Sequence, residues 1–306
     1  MMLHQAFTVP SPSKAVDLNM ADGARIRLRR YGRAGRTRLV LSHGNGLAIN
    51  AYAPFWLPLT ENYDVVVFDM RNHGENPKHT LEGHTWKNFF LDIEEVFQGI
   101  RYHFGPAPTV AVVHSLSSVA TIGHVLWQSE RWDALCLFDP PIMPPAGHPL
   151  HEPQCADMEA LAERALRRQE IYDTPDQLAE QFRRRASFGR WIPEAADLLA
   201  RHTLRQLLDG RWTLCCPPAF ESEVFRNNVD PTLFPRLDQI QAPLRVIAGD
   251  PNSPHASPAA WIAKSAHEMY GIDYQTVRGT THFLQIEEPR ACRDLLNEFL
   301  TRHGLD

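Results

Sequence analysis

Apolar positions along the chain fall into short solid blocks, separated by stretches where they recur every third or fourth residue. Leu39-Val40-Leu41, Asp64–Phe68 (DVVVF), Thr109–Val113 (TVAVV), Ala134–Phe138 (ALCLF) and Leu244–Ala248 (LRVIA) are almost wholly apolar. Blocks of that length suit strands buried on both faces of a parallel sheet. Asp273–Val277 is a further short strand. Arg25–Tyr31 (RIRLRRY) alternates with the period of an exposed edge strand, and a turn near Asp22-Gly23 pairs it with another strand inside 15–31. The intervening stretches read as helices. Trp86, Phe89, Ile93, Phe97 and Ile100 share one helical face, with Thr85 placed to cap and Gly105-Pro106 to stop it. Leu116–Trp127, Pro258–Met269 and Pro289–Leu300 complete the set, the last two carrying proline in their first turn. Strands alternating with helices predict an α/β fold, a mostly parallel central sheet flanked by helices.

One region breaks the alternation. From Pro140 to Leu237 the chain opens on Pro140-Pro141 and Pro144-Pro145, then turns helical and arginine-rich without a strong strand. It reads as a helical insertion (140–237) in a core domain made of 1–139 and 238–306. Its arginines, Arg164, Arg167, Arg168, Arg183, Arg184, Arg185 and Arg190, read as a solvated face, or in a sharper version as guides for an anionic substrate. Trp191, Trp212, Phe188 and Met143 read as core of the insertion or as the wall of an apolar pocket.

Composition narrows the function. The chain has 306 residues, 43% hydrophobic and 22% charged, with a net charge of −5. That balance argues against a nucleic-acid binder, which needs a basic face. No apolar run approaches the roughly 18 residues of a membrane span. The segment MMLHQAFTVPSPSK lacks a basic stretch followed by an apolar one, so no secretory leader is expected. The five cysteines are odd in number and show no metal-ligand spacing. They suit a reducing cytosol, with Cys215 and Cys216 as buried apolar residues.

Three segments carry candidate chemistry, each at the C-terminal end of a predicted strand, where open parallel sheets gather their ligands. Val113-His114-Ser115-Leu116-Ser117 follows TVAVV. A serine on a sharp strand-to-helix turn projects its hydroxyl above the sheet, and the helix N-terminus favours an oxyanion beside it. The usual spacing is G-x-S-x-G. Ser117 meets the second small position, whereas Val113 stands where the first should be. The alternative reading of Ser115 is a plain helix cap. Ser42-His43-Gly44-Asn45-Gly46 follows LVL, and such a turn can aim the Asn45 N–H at a substrate oxygen alongside the N–H of Leu116. Gly279-Thr280-Thr281-His282-Phe283-Leu284 precedes the last helix, and His282 there can reach back to the serine as a general base.

Together these segments resemble the α/β-hydrolase superfamily over about residues 15–302. HGNG looks like its oxyanion turn, and Asp69-Met-Arg-Asn-His-Gly74 like its D-x-R-x-x-G loop. HSLSS looks like its nucleophile elbow, GTTHFLQIEEP like its histidine loop, and the insertion falls where the family places a cap. The resemblance implies a serine hydrolase acting on an ester, thioester or related acyl bond of a small molecule under the cap. It needs no metal or organic cofactor and no nucleic-acid or membrane partner, and a homo-oligomer is left open. Ser115 would be the nucleophile and His282 the base. The acid usually sits in the loop after the strand that follows the cap, where Asp250 is the carboxylate. Asp139, ending the strand before the cap, is the rival, and Asn252 could orient the ring without supplying charge. Carbon–carbon hydrolysis, perhydrolysis and acyl transfer fit the same residues, and a non-catalytic ligand receptor is the alternative of another class.

Overall fold

The structure is a computed structural model that describes residues 7–127, 132–185, 188–228 and 230–306. The first six residues, part of the segment read as lacking a leader, lie outside the described residues. Eight strands form the main sheet: β1 (Lys14–Asn19), β2 (Arg25–Gly32), β3 (Arg38–Ser42), β4 (Asp64–Phe68), β5 (Thr109–His114), β6 (Ala134–Phe138) and, after the insertion, β10 (Leu244–Ala248) and β11 (Asp273–Thr276). Their order is β1-β2-β4-β3-β5-β6-β10-β11. The β1–β2 and β2–β4 pairs are antiparallel and the others parallel.

Helices cover both faces. They are α1 (Ala53–Trp56), α2 (Trp86–Phe104), α3 (Leu116–Trp127), α8 (Pro258–Tyr270), α9 (Leu284–Glu287) and α10 (Pro289–Arg302). Strand residues alternate between two cores, as a sheet buried on both sides demands. Val40, Val66, Ala111, Leu135 and Val246 face the core shared with α2, α3 and α8. Leu39, Val65, Val110, Ala134 and Ile247 face the core shared with α1 and α10. Thr85 caps α2 by accepting from the Asn88 amide, and Gly105 ends it at φ 78°, where a side chain would be strained.

Two expectations are corrected. β2 is not an edge strand, because β1 covers it on one side and β4 on the other. Its alternation misleads because Arg29, which looked solvent-facing, is buried at 2% exposure and bonds the Asp69 carboxylate (2.8 Å). The insertion is not purely helical. Besides α4 (His151–Leu166), α5 (Pro175–Arg184), α6 (Ala195–Thr203) and α7 (Pro218–Arg226), it holds a small antiparallel sheet of β7 (Ile171–Tyr172), β8 (Leu204–Gln206) and β9 (Trp212–Leu214). Strands of two or three residues are too short to show a period. Trp212 packs in the insertion's own core with Tyr172, Leu178 and Leu204. No helix among the described residues is long and apolar enough to cross a membrane.

Candidate active site

Ser115 sits between the end of β5 and the start of α3 with φ at 53°, a conformation that is uncommon and strained for a residue with a side chain. The fold compels it. The Ser115 amide donates to Phe138 O on β6 (3.0 Å), while the Ser115 carbonyl already accepts from Val119 in α3 (3.1 Å). The chain therefore passes from strand to helix within one residue. Two serines pin the bend. Ser117 Oγ donates to His114 O (2.9 Å), and Ser118 Oγ donates to Val113 O (2.7 Å). Val113 turns its side chain into the core beneath, so the close approach falls elsewhere. A Cβ on Gly44 would lie 3.1 Å from Ser115 Cβ and 3.0 Å from His114 Nδ1.

His282 joins the serine to an acid. Its Nε2 lies 2.9 Å from Ser115 Oγ and its Nδ1 2.6 Å from Asp139 Oδ2. Asp139 is fully buried, itself at a positive φ of 43°, at the C-terminal end of β6. Its carboxylate also accepts from the Gly249 amide (3.0 Å) and from Ser257 Oγ (2.7 Å). A buried carboxylate held by three donors is compensated for its lost hydration.

Asp250, the acid favoured from the sequence, is not the partner of His282. Its carboxylate accepts the amides of Gly279 (2.8 Å) and Asn252 (2.9 Å). Those amide bonds hold its carboxyl below the usual carboxylate range. It braces the loop that carries His282 without touching the ring. Asn252 is exposed and likewise does not reach the imidazole. β6 and β10 are parallel neighbours, so both acids emerge at the same rim. The turn at Asp139 aims that side chain inward.

The glycine turn lies against the serine. The Gly46 amide donates to His73 Nε2 (3.1 Å), and the Gly44 amide donates to Tyr52 Oη (3.4 Å). Among the described residues, the amides of Asn45 and Leu116 make no hydrogen bond, and both belong to segments that meet at Ser115. Beneath the turn, the loop Asp69–Gly74 supplies its supports. Asp69 accepts from Ile49 N (2.8 Å), Glu75 N (3.2 Å) and Arg29, while His43 Nε2 accepts from Met70 N (3.1 Å). Gly74 is required there, because a Cβ would meet the Asp69 carboxylate at 2.3 Å.

Histidines are held neutral here, four of them buried around the site and His202 half-buried. Burial pushes His43 down, His73 and His114 well down, His84 to about 3 and His202 to about 4. An unfolded histidine titrates near 6.5, so below that pH the unfolded chain binds protons that the folded chain refuses. Stability should then fall as the pH drops from 6.5 toward 3. Asp92, Asp157 and Glu287 oppose this, since burial raises each carboxyl, that of Asp92 to about 6, and the folded chain takes up those protons first. The five histidines outnumber them. Denaturant unfolding at pH 7 and pH 4.5 should differ by on the order of 3 kcal/mol in favour of pH 7. Equal or greater stability at pH 4.5 would contradict these assignments.

The insertion is hydrogen-bonded to this rim. Asn45 Nδ2 donates to Glu221 O on α7 (2.8 Å), and the Glu221 carboxylate pairs with Arg168. Arg190 Nη1 donates to Gly279 O (2.5 Å), and the Ile192 amide donates to Ile286 O (3.2 Å). Arg168 and Arg190 are thus tied into the fold, whereas Arg167 and Arg184 form exposed helical pairs, as expected of a solvated face. Phe188 and Trp191 pack edge-to-face against Phe283, with ring centroids 5.6 and 5.3 Å away, next to His282. Met143 is buried. Asp157 on α4 has its carboxyl raised by burial. Tyr52, Asp157 and Ser257 were not singled out from the sequence. Only Ser257, before Pro258, carries a local signal there, and that signal is helix capping.

A model of the alpha/beta hydrolase family matches residues 39–295. The chain is 23% identical over 229 residues to abhydrolase domain-containing protein ACTT2 of Alternaria alternata, covering 64% of this chain and 84% of that protein. Among solved structures, E-2-(acetamidomethylene)succinate hydrolase superposes with a TM-score of 0.76 at 15% identity, covering 94% of this chain and 99% of the other. The thioesterase domain from the curacin biosynthetic pathway gives 0.72 at 17%, covering 93% and 99%. A thermophilic esterase from Thermogutta terrifontis gives 0.66 at 18%, covering 95% and 99%. At these identities the likeness is one of fold.

Proposed function

The chain belongs to the alpha/beta hydrolase family, and from that premise we propose that it is a serine hydrolase cleaving a carboxylic ester, thioester or related acyl bond through an acyl-enzyme. One observation carries the reading. The hydroxyl of a strained serine lies 2.9 Å from an imidazole nitrogen whose other nitrogen lies 2.6 Å from a buried carboxylate.

The chemistry follows from that row. Asp139 accepts from Nδ1, which leaves Nε2 as the acceptor facing Ser115. Ser115 Oγ attacks the substrate carbonyl as its proton passes to Nε2, and the imidazolium that forms is stabilised by the Asp139 carboxylate. The carbonyl oxygen, now negative, is received by the amides of Asn45 and Leu116, neither of which has another partner among the described residues. Collapse breaks the acyl bond, and the departing alcohol or thiol takes the proton from Nε2. Water then attacks the acyl-serine, gives a proton to Nε2 and releases the acid, and Ser115 recovers its proton. Segment 140–237 acts as the cap, and the Phe188–Trp191–Phe283 cluster offers an apolar wall beside the base.

A fluorophosphonate probe tests this reading. Wild type should become labelled and hydrolyse short p-nitrophenyl esters, and Ser115→Ala should do neither. If wild type stays unlabelled and inactive on such esters, the non-catalytic receptor reading takes its place.

A further inference from the structure

Tyr52 and His114 form a buried chain that the chemical steps above leave unused. His114 Nε2 lies 2.9 Å from the main-chain carbonyl oxygen of His282, and His114 Nδ1 lies 2.8 Å from Tyr52 Oη. Tyr52 Oη receives the Gly44 amide at 3.4 Å. Both side chains are 1% exposed. The direction of every bond is determined. A carbonyl can only accept, so Nε2 must carry the ring proton. Nδ1 is then the acceptor, the tyrosine hydroxyl donates to it, and the tyrosine oxygen is left to accept from Gly44. The rings pack accordingly, with centroids 5.5 Å apart for Tyr52–His114 and 4.7 Å for His114–His282.

The chain links the three segments that meet at Ser115: the glycine turn, the elbow and the histidine loop. Other braces hold neighbours of His282. Asp250 holds Gly279, Arg190 also holds Gly279, and Glu287 holds the amide and hydroxyl of Thr281 (both 2.6 Å). His114 alone among them bonds the main chain of His282 itself. Without that bond the residue would rest on its side-chain contacts, whose geometry must survive each proton transfer.

We propose that His114 is a positioning residue for the reaction, its protonation locked by Tyr52, so that the main chain of His282 stays where its ring spans Ser115 and Asp139. The proposal rests on the reading of Ser115 and His282 as nucleophile and base. It goes beyond that reading by assigning a task to two buried residues that the chemical steps leave unused. Misplacement of a reacting group by about 1 Å can cost about 100-fold, which sets the scale.

Three variants and one spectrum test it. His114→Phe should lower kcat by about 100-fold with KM within about twofold, because orientation and not binding is lost. His114→Gln, which can still donate to the carbonyl, should recover to within about fivefold of wild type. Tyr52→Phe removes one hydroxyl and should lower kcat by about tenfold. Nitrogen-15 spectra of wild type should show His114 protonated on Nε2, and Tyr52→Phe should mix the two tautomers. If His114→Phe does not fold, Tyr52→Phe carries the test. Wild-type kcat in a folded His114→Phe, or a ring protonated on Nδ1 in wild type, would overturn the proposal. A wild type that fails to react with fluorophosphonate would instead remove the nucleophile reading, and the tautomer would still decide whether the chain exists.

Discussion

Asp139→Asn is expected to lower turnover by about 10,000-fold, while Asp250→Asn leaves it within about tenfold of wild type. The asymmetry comes from what each carboxylate holds. Asp139 accepts from His282 Nδ1, from the Gly249 amide and from Ser257 Oγ. An asparagine there keeps one acceptor oxygen and presents an N–H where Oδ2 stood. His282 must then turn its lone pair toward the amide and its proton toward Ser115. In that state Nε2 cannot take the serine proton, and no negative charge faces the imidazolium. Asp250 makes only amide contacts to Gly279 and Asn252, and an asparagine oxygen preserves one of them. The His282 loop keeps its other braces. Steady-state kinetics on the two variants, with circular dichroism to confirm folding, separates the cases. Near-wild-type turnover in Asp139→Asn, or a 10,000-fold loss in Asp250→Asn, would reverse the assignment.

Ser115→Gly should do two opposite things at once. Turnover should fall by about a million-fold, the scale seen when a nucleophile of this kind is removed. Stability should rise. Ser115 is held at φ 53° between a strand bond and a helix bond. Such a conformation costs on the order of 1–3 kcal/mol for a residue with a Cβ, and glycine adopts it freely. The greater freedom of glycine in the unfolded chain returns about 0.4–1 kcal/mol of that. The Oγ–Nε2 bond lost is partly open to solvent and contributes little. A net gain of about 1 kcal/mol would raise Tm by about 2 °C for a chain of this size. Thermal unfolding of wild type, Ser115→Ala and Ser115→Gly measures it. Alanine should gain less than glycine because it retains the Cβ. A glycine variant less stable than the alanine one would show that the elbow is not strained.

Much of this fold is legible in the chain itself, for identifiable reasons. DVVVF and ALCLF become β4 and β6 with those ends, because each is an unbroken apolar run buried on both faces, interrupted by no polar residue after Asp64 at the start of the first. α3 begins at Leu116, directly after the Ser115 turn, as its apolar pattern indicates. Ser115, His282, Asn45 and Leu116 meet because each lies at the C-terminal rim of a parallel strand, where consecutive segments converge. The acid was not legible. Asp139 and Asp250 end adjacent parallel strands, and only the backbone turn at Asp139, with φ at 43°, points one of them at the imidazole. A single dihedral angle leaves no periodic trace. Arg29 misled for a related reason. Its partner Asp69 lies 40 positions along the chain, so a charged residue in an alternating strand gave no sign of being buried. Tyr52 and His114 depend on contacts across 62 positions, and local pattern does not carry such pairs.

The most direct test of the central claim is a covalent one. A short p-nitrophenyl ester mixed with wild type in a quenched-flow experiment should release an initial burst of p-nitrophenol that approaches one equivalent per chain. Mass spectrometry of the acid-quenched protein should place the acyl group on the peptide containing Ser115. The account predicts that adduct on Ser115, and its absence from Ser115→Ala. Ester hydrolysis with the acyl group on another residue, or undiminished turnover in Ser115→Ala, would contradict it.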